Sequence, residues 1–216
     1  MTIYLDSADR DDVHAAVRLA FVHGVTTNPT LMRAVTKDPL EHAKQLLSDT
    51  ELAEFYYQPC GAYSSLVEEA EMAWSLAPDR VVLKIPATTG GLTMAKSLIG
   101  RGIPVALTAA QTPNAMIAAE AAGCVAVIPY VDRALRDHGT DSHLVSALAR
   151  VRKGGTRIVA ASVKNAGQFT QAYLDGADAV TAPLAVLEQV LEHPAALEAE
   201  RAFAEEYRVE QPIERG

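Results

Sequence analysis

The chain has 216 residues, 49% of them apolar, and a formal net charge of −8. The length and apolar fraction suit one compact α/β barrel, and the negative charge argues against a nucleic-acid or anionic-membrane partner. The sequence has no apolar run of the ~20 residues that a membrane helix needs, and it shows no signal-peptide pattern. Its two cysteines form no disulfide framework. A cytoplasmic location is therefore expected.

Short apolar segments alternate with helical patterns along nearly the whole chain. The predicted strands are Ile3–Leu5, Gly24–Thr26, Phe55–Gln58, Val81–Ile85, Pro104–Leu107, Val125–Pro129, Arg157–Ala160 and Ala179–Thr181. The predicted helices are Asp9–His23, Leu40–Leu47, Ser64–Ala77, Leu92–Arg101, Pro113–Ala122, Ser142–Val151, Ala166–Leu174, Leu184–Leu191 and a final amphipathic segment, Ala195–Tyr207. Such alternation implies a parallel sheet with helices outside, and eight units favour closure. The sequence therefore predicts a single (β/α)8 TIM barrel over residues 1–216 with an extra C-terminal helix.

Polar residues follow or end the predicted strands, where barrel enzymes keep their chemistry. In chain order they are Asp6, Thr26, Thr27, Asn28, Gln58, Lys84, Thr108, Tyr130, Arg133, Ser162, Lys164 and Thr181. Taken singly, each has an ordinary structural explanation. Their shared location at one end of a single barrel favours a common site.

Lys84 is the most informative of these residues, because it lies inside a strand between Leu83 and Ile85. Burial lowers the pKa of a lysine, and a neutral amine attacks carbonyl groups to form Schiff bases. A structural lysine paired with Asp6 or Glu54 inside the barrel is equally consistent with this strand alone.

Several other motifs have structural explanations or are missing. Asp6 is also consistent with a helix cap, and the segment Thr26-Thr27-Asn28-Pro29 with an N-cap followed by proline at the first helical position. The six histidines show no metal-binding spacing, and no dinucleotide or P-loop fingerprint occurs. Neither a metal nor an organic cofactor is therefore expected.

At these strand ends the sequence resembles the transaldolase family, especially its small members, which include fructose-6-phosphate aldolase. The motifs occur in family order and span most of the chain. They are Tyr4-Leu5-Asp6, Gly24-Val25-Thr26-Thr27-Asn28-Pro29, Val82-Leu83-Lys84-Ile85-Pro86, Gly102-Ile103-Pro104 with Thr108, Pro129-Tyr130-Val131-Asp132-Arg133, Ala160-Ala161-Ser162-Val163-Lys164 and Gly176-Ala177-Asp178-Ala179-Val180-Thr181.

The resemblance implies a catalytic role for five residues. Lys84 resembles the Schiff-base lysine, and Asp6 the carboxylate that assists proton transfer and carbon–carbon cleavage. Gln58, Thr108 and Tyr130 resemble the set that holds a catalytic water in the aldolase subgroup. Gln58 stands where transaldolases usually carry glutamate, and Tyr130 where many of them carry phenylalanine.

The resemblance also implies substrate contacts and an assembly. Thr26 and Asn28 resemble residues that bind the hydroxyls of the ketose donor, and Arg133 and Ser162 resemble the phosphate site. A guanidinium fork suits phosphate oxygens on chemical grounds as well. The expected partners are sugar-phosphate substrates and further copies of the chain in a homo-oligomer, a pentamer or decamer.

Three functional alternatives remain open at this point. Within the family, the choice lies between a true transaldolase and a free fructose-6-phosphate aldolase. Outside it stand a non-catalytic sugar-phosphate-binding barrel, which has no need of an imine-forming lysine, and a metal-dependent aldolase, for which no ligand cluster is visible. The sequence departs from the family pattern in two places: Ile128 precedes Pro129, and the segment 87–91 has no acidic residue. These departures leave the identity of the substrate open.

Overall fold

A computed structural model of the protein describes residues 1–61, 65–139 and 143–209. Eight parallel strands form a closed barrel in chain order, with β1 hydrogen-bonded to both β2 and β8. The predicted fold class is thus confirmed. The strands are β1 (Thr2–Asp6), β2 (Gly24–Thr26), β3 (Glu54–Tyr57), β4 (Val81–Pro86), β5 (Val105–Ala110), β6 (Ala126–Pro129), β7 (Arg157–Ala160) and β8 (Ala179–Ala182).

The helices of the described residues surround the barrel or follow it. They are α1 (Arg10–Arg18), α2 (Pro29–Val35), α3 (Pro39–Asp49), α4 (Leu66–Ser75), α5 (Thr89–Ile99), α6 (Asn114–Ala122), α7 (Val131–His138), α8 (Leu144–Val151), α9 (Ala166–Leu174), α10 (Leu184–Glu188) and α11 (Pro194–Val209). The predicted first residues of two helices, Ser64 and Ser142, lie outside the described residues.

Three helical segments differ from the sequence-based expectation. Helix α1 ends at Arg18 rather than His23, because Ala20 adopts a left-handed φ of 54° and His23 already donates its backbone N–H to Ile3. Helix α7 is not among the predicted elements, and α2 is anticipated only by the possible N-cap and first-turn proline at Asn28 and Pro29. Each is a short helix that begins close to a strand end.

Both faces of the sheet are buried, one against the helices and one in the barrel interior. Leu83 and Ile85 of β4 pack outward against the helices, whereas Val82 faces the barrel interior with Tyr4 and Tyr56. Side chains alternate between the faces along a strand, so Lys84 points inward with Val82. This alternation is what brings the polar strand ends to one interior surface.

The N-terminal end of the barrel is filled by a network around Glu54. Its carboxylate accepts hydrogen bonds from Tyr4 (2.8 Å), Tyr56 (2.9 Å) and Arg157 (3.0 Å). Burial and the charge of Glu54 raise the pKa of Tyr4 to about 12. Gly24 lies beside this network, and a Cβ there would come within 2.2 Å of the carbonyl oxygen of Glu54, so only glycine fits. The network closes the end of the barrel that lies away from the candidate site.

Helix α11 follows the barrel as an exposed element. Phe203 is 68% exposed and Leu197 is 39% exposed, although both are large apolar side chains. Across the described residues, no helix is both long enough and apolar enough to cross a membrane.

Candidate active site

Lys84 lies on β4 inside the barrel and is only 2% exposed. Its Nζ donates a hydrogen bond to the backbone carbonyl oxygen of Thr27 at 2.7 Å. Leu83 and Ile85, which flank it in sequence, pack on the other face of the sheet. The amine is therefore buried with one polar partner of neutral charge.

The electrostatic surroundings of Lys84 favour the neutral amine. Burial lowers its pKa, and the negative charge of Asp6 opposes this shift without cancelling it. Among the described residues, no ion pair includes Lys84. A purely structural Lys84 would pair with Asp6 or Glu54. The carboxylate of Glu54 is paired with Arg157 instead. A lysine in this state is suited to nucleophilic attack on a carbonyl.

Asp6 stands at the end of β1 and is tied to the neighbouring strands. Thr26 of β2 donates its hydroxyl hydrogen to Oδ1 of Asp6 at 2.8 Å. The hydroxyl of Thr26 is also 2.7 Å from the hydroxyl of Thr181 on β8. Both threonines are fully buried, whereas Asp6 is only partly buried, so the bond between the threonines is shielded from solvent and the carboxylate keeps some access to it.

Thr108 lies on β5, and Gln58 and Tyr130 directly follow β3 and β6. Gln58 follows Tyr57 directly, and Tyr57 pairs with Leu83, which places Gln58 beside Lys84. Thr108 of β5 pairs with Pro86 and with Ile128 of β6. Tyr130 follows β6 and pairs with Ala161.

Two of these side chains carry a buried oxygen atom with unused hydrogen-bonding capacity. Oε1 of Gln58 and Oγ1 of Thr108 have no hydrogen-bond partner within the described part of the chain. Buried polar atoms in native proteins are usually satisfied by protein, water or ligand. The pair therefore has two buried oxygen atoms that could contact a ligand of Lys84, since Gln58 follows β3 and Thr108 lies on β5, the two strands that flank β4.

Asn28 combines a structural contact with a free donor group. Its Oδ1 accepts hydrogen bonds from the backbone N–H groups of Thr30 and Leu31, both at 3.0 Å, and Pro29 occupies the first turn of α2. The N-cap expectation is confirmed. The side-chain amide nitrogen donates no hydrogen bond to the residues that the structure describes, so it remains available for a substrate hydroxyl.

Arg133 and Ser162 lie at the mouth beyond β6 and β7. Arg133 is exposed on α7, and its guanidinium carbon is 4.9 Å from the centroid of the Tyr130 ring. Ser162 adopts a left-handed φ of 61°, which is strained for a residue with a Cβ, and its carbonyl oxygen accepts from the N–H of Asp132 at 3.2 Å. The backbone bond therefore ties Ser162 to Asp132, the residue before Arg133, although the described contacts include none between the Arg133 and Ser162 side chains.

One buried carboxylate near the site was missed from the sequence. Glu69 of α4 is fully buried and accepts hydrogen bonds from Tyr57 (2.7 Å) and from the backbone N–H groups of Cys60 (2.9 Å) and Gly61 (2.8 Å). These bonds hold the loop that begins at Gln58. The signal in the sequence is an acidic residue four positions before Ala73 on the buried face of the helix.

Residues 1–61, 65–139 and 143–209 contain no cluster of three or more His, Cys, Asp or Glu side chains that could hold a metal ion.

Comparison with known proteins identifies the family. The profile of the transaldolase/fructose-6-phosphate aldolase family matches residues 3–214. A probable transaldolase of Chlorobium phaeobacteroides is 32% identical over 205 residues, which cover 90% of this chain and 92% of the relative. A probable transaldolase of Carboxydothermus hydrogenoformans is 31% identical over an alignment of 218 positions, gaps included, that covers 96% of this chain and 98% of the relative. A third, from Nitrosopumilus maritimus, is 32% identical over 202 residues and covers 90% of this chain and 89% of the relative. The chain therefore belongs to the transaldolase/fructose-6-phosphate aldolase family.

Proposed function

We propose that the protein is a class I transaldolase or aldolase in which Lys84 forms a Schiff base with a ketose resembling fructose 6-phosphate. The observation that carries the proposal is the amine of Lys84, buried inside the barrel without an ion-pair partner among the described residues. Burial lowers the pKa of this amine, which raises the fraction of the neutral, nucleophilic form.

The first step is the attack of the Lys84 amine on the ketose carbonyl carbon. The carbonyl oxygen leaves as water, taking one hydrogen from the amine and one from an acid at the site. Nitrogen keeps its second hydrogen, so the product is a protonated imine. The positive iminium accepts an electron pair from the neighbouring bond, which is the property that the next step uses.

The second step breaks the bond between C3 and C4 of the ketose. Asp6, or a water held by Gln58, Thr108 and Tyr130, removes the proton of the C4 hydroxyl group. The C3–C4 electron pair moves towards the iminium and leaves an enamine of dihydroxyacetone on Lys84, while the rest of the sugar departs as an aldehyde. Correct placement of such a proton acceptor typically supplies ~10²–10⁴-fold in rate.

Substrate binding is proposed for four residues around this chemistry. The free amide nitrogen of Asn28 suits a hydroxyl of the three-carbon unit. Thr26, whose hydroxyl is engaged with Asp6, contributes to the same pocket. Arg133 and Ser162 would hold the phosphate group, because a guanidinium fork and a hydroxyl both donate hydrogen bonds to phosphate oxygens.

The fate of the enamine separates the two activities of the family. In a transaldolase the enamine attacks a second aldehyde, and in an aldolase it is protonated and the imine is hydrolysed. The neutral amide of Gln58 and the phenol of Tyr130 match the aldolase subgroup in the resemblance described above. Incubation of fructose 6-phosphate with and without an acceptor aldehyde tests this, since consumption that requires the acceptor indicates transfer.

Reductive trapping tests the Schiff base directly. Borohydride with dihydroxyacetone or fructose 6-phosphate should leave a stable adduct that mass spectrometry maps to Lys84. Lys84→Met should lose both the adduct and turnover, whereas Lys96→Met, at an exposed lysine on α5, should keep both. Full activity in Lys84→Met, or an adduct at another lysine, refutes the mechanism. Activity that disappears with a chelator and no adduct would indicate a metal-dependent aldolase instead.

The proposal includes assembly into a homo-oligomer, a pentamer or a decamer. The exposed Phe203 and Leu197 of α11 support it, because large apolar side chains on an amphipathic helix are normally buried against another surface. The mass in solution, measured by light scattering, tests it, and a mass of 23.1 kDa would contradict it.

A further inference from the structure

Thr181 belongs to the polar strand ends but has no part in the mechanism above. It lies on β8, is fully buried, and pairs through its backbone with Tyr4 of β1. Its hydroxyl oxygen is 2.7 Å from that of Thr26. Asp6 and Thr26 pair across β1 and β2, so the contact links three neighbouring strands at the level of the candidate site.

The direction of the hydrogen bonds follows from the number of hydrogens. A hydroxyl group has one hydrogen to donate, and a carboxylate only accepts. Thr26 therefore uses its hydrogen for Oδ1 of Asp6. Since Thr26 has no second hydrogen, the bond between the two threonines must be donated by Thr181.

This ordered chain has a consequence for Asp6. Thr181 fixes the rotamer of Thr26 and polarises its hydroxyl group, because hydrogen bonds in series strengthen one another in a dry interior. Oδ1 of Asp6 is thereby held from one side. Within the described part of the chain, Oδ2 of Asp6 accepts no hydrogen bond, so it is the oxygen that remains for the substrate.

We propose that Thr181 is a positioning residue that orients the Asp6 carboxylate through Thr26. This inference rests on the proposed function, in which Asp6 takes part in proton transfer. Thr181 has no contact with Lys84 among the described hydrogen bonds, so it should influence carbon–carbon cleavage rather than the capacity of Lys84 to form an imine.

A pair of substitutions separates the hydroxyl from the shape of the side chain. Thr181→Val keeps the shape and removes the donor, and Thr181→Ser keeps the donor. We expect kcat for ketose cleavage to fall about 10-fold in Thr181→Val, a fraction of the ~10²–10⁴ that proton transfer supplies. Thr181→Ser should stay within about two-fold of the wild type, and borohydride trapping with dihydroxyacetone should be equal in all three proteins.

A double-mutant cycle distinguishes positioning from a general structural effect. If Thr181 acts through Asp6, Thr181→Val should lower the residual single-turnover cleavage rate of Asp6→Asn by less than about two-fold. An equal loss in both backgrounds, or wild-type kcat in Thr181→Val, overturns the inference. Thr181→Ala is subject to the same cycle and replaces the valine variant if that one does not fold.

The failure of the proposed function gives a different pattern. If the wild-type protein forms no borohydride adduct on Lys84, the Schiff-base proposal fails and the role of Thr181 fails with it. If the wild type forms the adduct and Thr181→Val cleaves at the wild-type rate, only the inference about Thr181 is refuted.

Discussion

Replacing Lys84 by methionine is expected to increase the free energy of unfolding at neutral pH while it abolishes turnover. The amine is 2% exposed and its pKa is lowered by burial, so the folded protein binds this proton less tightly than the unfolded chain. Methionine has a similar volume and no charge to desolvate. Loss of the hydrogen bond to the carbonyl oxygen of Thr27 acts in the opposite direction, by about 1 kcal/mol at every pH.

The way in which this stability difference changes with pH shows whether the buried amine of Lys84 causes it. Below the pKa of Lys84 in the folded protein, both states carry the proton and the wild type has its full desolvation penalty. Between that pKa and the unfolded value of about 10.4, only the unfolded chain keeps the proton, so the stability of the wild type rises with pH. One proton limits this slope to about 1.4 kcal/mol per pH unit. The advantage of Lys84→Met should therefore narrow as the pH rises through this window.

Urea unfolding of the wild type and Lys84→Met at equal protein concentration, from about pH 7 to about pH 10, measures how their free energies of unfolding differ across this window. The exposed residue Lys96 offers a matched control, because Lys96→Met removes a lysine that is solvated in both states. A stability difference for Lys84→Met that does not change with pH would show that the buried amine is not the source. A wild type that is more stable than Lys84→Met at neutral pH by several kcal/mol would refute the reasoning altogether.

Three further predictions concern the surroundings of the site. Glu69→Gln should lower the free energy of unfolding by about 1–3 kcal/mol and reduce turnover, because a buried anchor of the loop after β3 is weakened. Equal urea midpoints for Glu69→Gln and for Glu51→Gln, a substitution at an exposed glutamate, would contradict this. Arg157→Met should destabilise the fold by about 1–3 kcal/mol, less than the ~3–5 kcal/mol of fully buried pairs, because Glu54 loses its cation. Its kcat should be unchanged, and a large fall in kcat would place the N-terminal network in the catalytic machinery. Phe203→Ser should lower the mass in solution, and an unchanged mass by light scattering would exclude the exposed face of α11 from the assembly.

The sequence pattern was most reliable for the strands. All eight were found, and β2 and β7 have the predicted bounds, because short apolar segments between helical patterns are a local property of a sheet buried on both faces. Helix α7 was not predicted, and α2 was indicated only by its N-cap and first proline. Each has eight residues or fewer and begins at a strand end, so its periodicity is too short to stand out from a loop.

The candidate site was partly visible in the sequence for a related reason. In a barrel, a polar residue within or just after an apolar strand has a known location, so the sequence by itself indicates Lys84, Asp6 and Gln58 as site residues. Glu69 was missed because two of its partners, the backbone N–H groups of Cys60 and Gly61, are in a loop, and no regular spacing connects a loop to the helix that anchors it.

By itself, the order of apolar and polar residues determined the barrel, the inward direction of Lys84 and the end at which the polar residues collect. Only the tertiary structure decided the partners of those residues. Thr26 and Thr181 are 155 positions apart and meet because the barrel closes between β8 and β1. Closure likewise brings Arg157 to Glu54 and leaves the amine of Lys84 with a backbone carbonyl. Such contacts join residues that are distant in sequence and form only when all eight strands close the barrel. Local sequence patterns depend only on residues that are near one another in the chain.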